Sequence, residues 1–83
     1  MVFAKDAQKD AVKLARAGLR PKAEALSAVL REDPFRTPPR LEKLVGDLEG
    51  AYSRHINLRH RLVYAVEAET PTVKILRMWT HYE

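Results

Sequence analysis

From residue 51 onward the chain carries three runs in which bulky apolar and polar side chains alternate: Ala51–Asn57, His60–Glu67 and Thr72–Thr80. β-Branched and aromatic residues are frequent in them, as a pleated, half-buried surface favours. Short polar or Pro-containing breaks separate the runs, so neighbours are expected to pair as antiparallel hairpins. In the second run Leu62, Tyr64 and Val66 share one face, and Arg61, Val63, Ala65 and Glu67 the other. The bulkier apolar face is expected to meet a helical layer, which leaves Arg61 on the open side. The third run is less regular, because Val73, Ile75 and Trp79 oppose Leu76 and Met78. Partial cover on both of its faces is expected.

The N-terminal half follows a helical period instead. Val2-Phe3 can open an edge strand, and residues 4–17 lack Gly and Pro and are rich in helix formers. Ala4, Ala7, Ala11, Leu14 and Ala15 fall on one face, and Lys5, Lys9, Lys13, Arg16 and Arg20 form an opposite basic stripe. Gly18 suits a left-handed C-cap, and Pro21 suits the first turn of a second helix reaching about Glu32. That helix points Ala23, Leu26, Val29 and Leu30 inward, and Asp33-Pro34 ends it. Residues 34–40, PFRTPPR, read as a stiff connector anchored by Phe35. In LEKLVGDLEG, Leu41, Leu44, Val45 and Leu48 suggest a short helical turn or an irregular segment beside the sheet, with Glu42 among apolar neighbours.

These elements define one small α+β domain over residues 1–83: a twisted antiparallel sheet with two N-terminal helices packed on one face. Composition narrows the function classes. The chain has no cysteine, which excludes disulfides and thiolate metal sites. No apolar run approaches ~18 residues and no leader pattern is evident, so a cytoplasmic protein without membrane association is expected. The net charge of +4 is confined to residues 1–40, where nine Lys/Arg face five Asp/Glu; the remainder carries six of each. The basic stripe reads either as a solvated helix face or as a phosphate-contacting one. A helix–turn–helix DNA reader is disfavoured, since the second helix exposes few base-reading side chains.

The chemistry narrows by comparison of the candidates. His55 and His60 point to opposite strand faces and no compact His/carboxylate spacing exists, so there is no zinc signature. Ser27 and Ser53 lack a nucleophile-elbow context, and the glycines are isolated. What remains is a set of groups suited to cleaving RNA without a metal: a base for the 2′-hydroxyl, an acid for the leaving 5′-oxygen and a cation for the phosphorane. Glu42, His81 and Arg61 are candidates, although lone His and Arg residues on strands are more often surface or satisfied structural groups.

Longer words in the sequence bear on this. DPF..PPR.EKLVGDLEGAYSR, IN..HRLVYAV and VKILRMWTHYE, with FAKDAQKDAVKLARAGL upstream, resemble the YoeB/Txe family of bacterial toxins in the RelE superfamily. The likeness covers nearly the whole chain. It implies a RelE-like fold and a ribosome-dependent endoribonuclease that cuts mRNA in the ribosomal A site, with no metal or organic cofactor. By position, Glu42 would be the general base, Arg61 the transition-state cation and His81 the general acid. Tyr82 would position or stack the substrate, and Arg54 and His55 would contact it. The resemblance further implies a YefM-type antitoxin that masks the site, operator DNA bound only together with that antitoxin, and homodimerisation as a state known in the family. It also gives the basic stripe a role, as an electrostatic attraction to ribosomal RNA.

Three departures from the family pattern stand out. Arg54-His55 replaces a common Arg-Arg pair, which makes one phosphate contact weaker or pH-dependent. The segment before Val2-Phe3 is shorter than usual, so a truncated first strand is expected. Val45 stands where some relatives have Lys, with lower RNA affinity as the expected consequence. The competing reading is a catalytically weak, antitoxin-binding transcriptional corepressor.

Overall fold

The three alternating runs form the centre of a five-stranded sheet in the computed structural model, which describes residues 1–46, 49–67, 69 and 72–79. In chain order the elements are β1 (Val2–Phe3), α1 (Lys5–Arg16), α2 (Arg20–Glu32), β2 (Glu42–Lys43), β3 (Ala51–His55), β4 (Arg61–Glu67) and β5 (Thr72–Arg77). Their order across the sheet is β1-β5-β4-β3-β2. The pairs β2–β3, β3–β4 and β4–β5 are antiparallel, as the short breaks require. β1 runs parallel to β5, with Val2 opposite Lys74 and Phe3 opposite Ile75. The sheet is therefore not purely antiparallel. A parallel neighbour needs a long crossover, and here most of the chain supplies it.

Register assigns the two faces. Tyr52 pairs with Tyr64 and Tyr64 with Ile75, while Arg54 pairs with Leu62 and Val66 with Val73. These residues share the face covered by the helices, where Ala7, Leu14, Ala23, Leu26 and Leu30 meet Leu62, Tyr64 and Ile75. Each fully buried large aliphatic or aromatic side chain contributes roughly 1.5–3 kcal/mol relative to exposure. The expected split in β4 holds, with Arg61 on the opposite face. Val63, also on that face, is nonetheless buried.

Helix ends follow the local chemistry. Gly18 has φ of 75°, the left-handed conformation that lets the chain turn after α1. Pro21 lies in the first turn of α2, where its missing N–H removes no intrahelical bond. The Ala4 N–H donates to the Ile75 carbonyl at 2.8 Å, so α1 starts directly off the β5 edge. Both helices are rotated slightly from the expected faces. α1 buries Ala7, Asp10 and Leu14, while Ala15 is exposed; α2 buries Ser27 in addition to Ala23, Leu26 and Leu30.

Two expectations are corrected. The segment holding Glu42 is only in part the expected helical turn or irregular stretch: Glu42 and Lys43 form an edge strand opposite Ser53 and Tyr52, and further on the Glu49 N–H closes a tight turn on the Gly46 carbonyl at 3.0 Å. Strand pairing satisfies two extended residues that apolar spacing alone assigns to a helix. The third run ends as a strand at Arg77, because the amides of Met78 and Trp79 donate to the Asp10 carboxylate instead of a ladder. A register shift just before, with Val63 opposite Arg77 but Tyr64 opposite Ile75, leaves Leu76 as an extra residue. Alternation is broken there, and Met78 joins Val73 and Ile75 in the core.

Candidate active site

The site begins with how the connector is held. Arg54 lies on the helix-covered face and is only 1% exposed. Its Nε donates to the Tyr64 hydroxyl at 3.2 Å, its Nη2 to the Pro34 carbonyl at 3.0 Å and its Nη1 to the Pro39 carbonyl. The Tyr64 hydroxyl in turn donates to the Pro34 carbonyl at 2.6 Å. Burial pushes the Tyr64 phenol above its ordinary value, against the pull of Arg54, so it remains a donor. Phe35 packs edge-on against Tyr52 with centroids 5.3 Å apart, as its anchoring role requires. Arg54 therefore straps both ends of the proline connector to the sheet. The expectation that Arg54 contacts substrate is corrected: strand parity turns it away from the open face, and its donors are engaged by the protein.

Three residues past the connector's Pro39 stands Glu42, delivered to the open face by β2. Its Oε2 lies 3.3 Å from Arg61 Nη1, and its Oε1 lies 3.8 Å from His55 Nε2 and 3.6 Å from Arg40 Nη2. The latter two are ion-pair separations and not hydrogen bonds. Glu42 and Arg61 each keep 27% of their side-chain surface exposed, and His55 keeps 38%. The cluster is thus accessible yet partly desolvated, which strengthens its electrostatics relative to bulk water. His55 Nδ1 is 3.3 Å from the Asn57 carbonyl oxygen, which can only accept. That contact turns Nε2 toward Glu42, where attraction requires the protonated ring. The β3–β4 turn that carries Asn57 is closed by its Oδ1, which accepts from the Arg59 N–H at 2.9 Å and the His60 N–H at 2.7 Å.

The structure brings together Glu42, Arg61 and His55, three of the residues singled out from sequence, and adds Arg40. His81 and Tyr82 lie outside the described residues. Arg40 was not anticipated, although its place two residues before Glu42 is the signal: alternate residues of an extended segment share a face. Val45 is 84% exposed, so the apolar side chain at this position reaches solvent. His60 is buried and its ring stacks on Trp79 at 3.8 Å, which makes Trp79 a packing residue. The basic stripe of Lys5, Lys9, Lys13, Arg16 and Arg20 is exposed on the solvent side of the helix layer. Among the described residues no group of three or more His, Asp or Glu is arranged to hold a metal, and no helix is long and apolar enough to cross a membrane.

This two-layer fold with its open sheet face recurs in solved structures of RelE-like toxins. A YoeB/ParE toxin from Agrobacterium tumefaciens superposes with a TM-score of 0.87 at 28% identity, over 98% of this chain and 96% of that one. The toxin in a YoeB-YefM complex from Staphylococcus aureus gives 0.82 at 30% identity, over 98% and 94%. YafQ from E. coli shares the fold, with a TM-score of 0.78 at 20% identity over 95% and 89%. No curated protein sequence matches the chain. A family model, the YoeB-like toxin of bacterial type II toxin-antitoxin systems, matches residues 3–82. The chain belongs to that family.

Proposed function

We propose that the protein is a metal-independent endoribonuclease that cleaves mRNA in the A site of the bacterial ribosome. The observation that carries this reading is the convergence of Glu42, Arg61 and His55 on the uncovered sheet face. Glu42 takes the proton from a substrate 2′-hydroxyl, and the resulting oxygen attacks the adjacent phosphorus. Arg61 stabilises the charge that builds on the phosphorane oxygens, for which a planar, permanently charged donor fork is suited. His81 protonates the departing 5′-oxygen and Tyr82 orients the substrate. The products are a 2′,3′-cyclic phosphate, or its opened form, and a 5′-hydroxyl. Base, acid and cation are all side chains, so the scheme needs no metal or organic cofactor. His55 and Arg40 contact flanking phosphates, and the basic helix stripe attracts ribosomal RNA.

The cognate partner in this reading is a YefM-type antitoxin in the cytoplasm, with operator DNA engaged only by the complex. The groove between α1 and α2, floored by Ala11, Leu14, Ala23 and Met78 and edged by Arg16 and Arg31, suits an acidic amphipathic segment. A homodimer, as in the YoeB dimer from Staphylococcus aureus, is a further proposed state.

Primer extension on a defined mRNA in ribosome complexes tests the function, with His81→Ala as control and chelator added throughout. Cleavage at the A-site codon is expected from the wild type, is lost in the variant, and disappears when the nucleotide at the cut is 2′-deoxy. Products bearing a 5′-phosphate would sink the mechanism. A folded wild type that cuts nothing would leave the corepressor reading.

A further inference from the structure

Asp10 is a charged residue on the core side of α1, only 1% exposed. Its Oδ2 accepts from Arg77 Nε at 2.9 Å, from the Met78 N–H at 3.0 Å and from the Trp79 N–H at 3.2 Å. Arg77 Nη2 stands 3.5 Å from Oδ1. One helix side chain thus holds two consecutive backbone amides where the chain leaves β5, some 68 residues away in sequence. Burying a carboxylate is unfavourable unless it is paired and hydrogen-bonded, and here both conditions are met. From the sheet side, the Trp79 ring lies on His60 with centroids 3.8 Å apart and planes inclined at 21°. The exit from β5 is therefore fixed in position by α1 and in orientation by the start of β4.

A fixed exit constrains where residues beyond Trp79 can reach. His81 is two residues further on in sequence. A general acid must come within hydrogen-bond reach of the leaving oxygen, and a displacement of ~1 Å can cost on the order of 100-fold in rate. We infer that Asp10 is a positioning residue for cleavage: by clasping the Met78 and Trp79 amides it fixes the point from which the chain continues to the acid His81. The inference rests on the proposed role of His81. It gives α1 a part in the chemistry without contact with RNA.

The test separates positioning of an acid from general loosening of the fold. Single-turnover cleavage on the ribosome is measured for wild type, Asp10→Asn, His81→Ala and the double variant. Two mRNAs are used, one ordinary and one with a bridging 5′-sulfur at the cut, whose thiolate departs without protonation. On the ordinary RNA, Asp10→Asn is expected to lose roughly 10- to 100-fold in rate, with little change in the half-saturating concentration. On the sulfur-bridged RNA both single variants should recover most of the wild-type rate. Adding Asp10→Asn to His81→Ala should cost little more than His81→Ala alone, as for two groups acting in one step.

Equal losses on the two substrates, or a folded Asp10→Asn with wild-type rates, would overturn the inference while leaving the function intact. A wild type that does not cleave would overturn the functional reading and this inference with it; a His81→Ala that cuts the ordinary RNA at the wild-type rate would overturn the acid assignment and this inference, leaving the endoribonuclease reading in place. Should Asp10→Asn melt below the assay temperature, Asp10→Glu carries the same test. It keeps the charge opposite Arg77 but displaces the carboxylate from the two amides, and the same substrate-dependent loss is expected.

Discussion

Glu42 and Arg61 lie on strands that are not neighbours, yet their side chains meet at 3.3 Å across β3. The residue opposite Glu42 on that middle strand is Ser53, small enough to let the two longer side chains close over it. The pair spans 19 residues of sequence. Carboxylate and guanidinium are thereby held on one face of the sheet, with His55 opposite Arg61 on the same side.

If this pair carries the chemistry, Glu42→Gln and Arg61→Ala should each lower single-turnover cleavage by about 10²–10⁴-fold. Neither should greatly change the thermal midpoint, because both side chains keep solvent contact. Arg61→Lys is expected to recover little, since a point charge does not reproduce the planar fork. Rates on ribosome-bound mRNA, read beside melting curves, check this.

His55→Arg substitutes a permanent cation for a ring that is charged only when protonated. RNA affinity should rise, and the salt dependence of binding should steepen by about 0.7 in log–log slope for one added single-strand phosphate contact. Titrations at several salt concentrations, at a pH where histidine is mostly neutral, measure that slope. An unchanged slope would remove His55 from the RNA interface.

Arg54→Met should act through stability. It leaves the Pro34 and Pro39 carbonyls without the guanidinium donors that tie the connector down. A loss of about 2–4 kcal/mol is expected in urea unfolding, the range for deleting a charged partner from a buried hydrogen-bonded group. Because the connector delivers Glu42, the cleavage rate should fall too, while RNA affinity changes little.

The Asp10 carboxyl sits below its ordinary value of 3.8: burial pushes it up, but the Arg77 hydrogen bond and the Met78 and Trp79 N–H groups outweigh that. A carboxylate depressed on folding contributes stability that is present above its unfolded value and is lost as pH falls through the folded one. The stability gap between wild type and Asp10→Asn should therefore be constant near neutrality and shrink below roughly pH 4. Denaturant titrations from neutral pH downward test this; a gap that widens in acid would contradict it.

Much of this architecture could be read from the chain. The alternation of Leu62, Tyr64 and Val66 against Arg61 placed the latter on the open face, because strand periodicity depends only on backbone geometry. Gly18 and Pro21 marked the joint between the helices through their own conformational limits. Glu42 and Arg61 were legible as candidates. Their meeting was not, since it depends on the order β4-β3-β2, which no local pattern encodes.

Arg54 and Asp10 show the same division. Each is charged, and composition alone would put both in water. Asp10 does sit on the stripe of Ala7 and Leu14, and Arg54 has the parity of Tyr52, so their faces were fixed by periodicity. What periodicity could not supply was the partner that makes burial tolerable: two carbonyls and a phenol for Arg54, and a guanidinium and two amides for Asp10. The sequence by itself determined the elements, their faces and the residue types available for chemistry, because those follow from short-range sterics and spacing. Tertiary structure alone decided which charges are buried and which converge, because desolvation and pairing are set by groups distant in sequence that only the folded chain brings together.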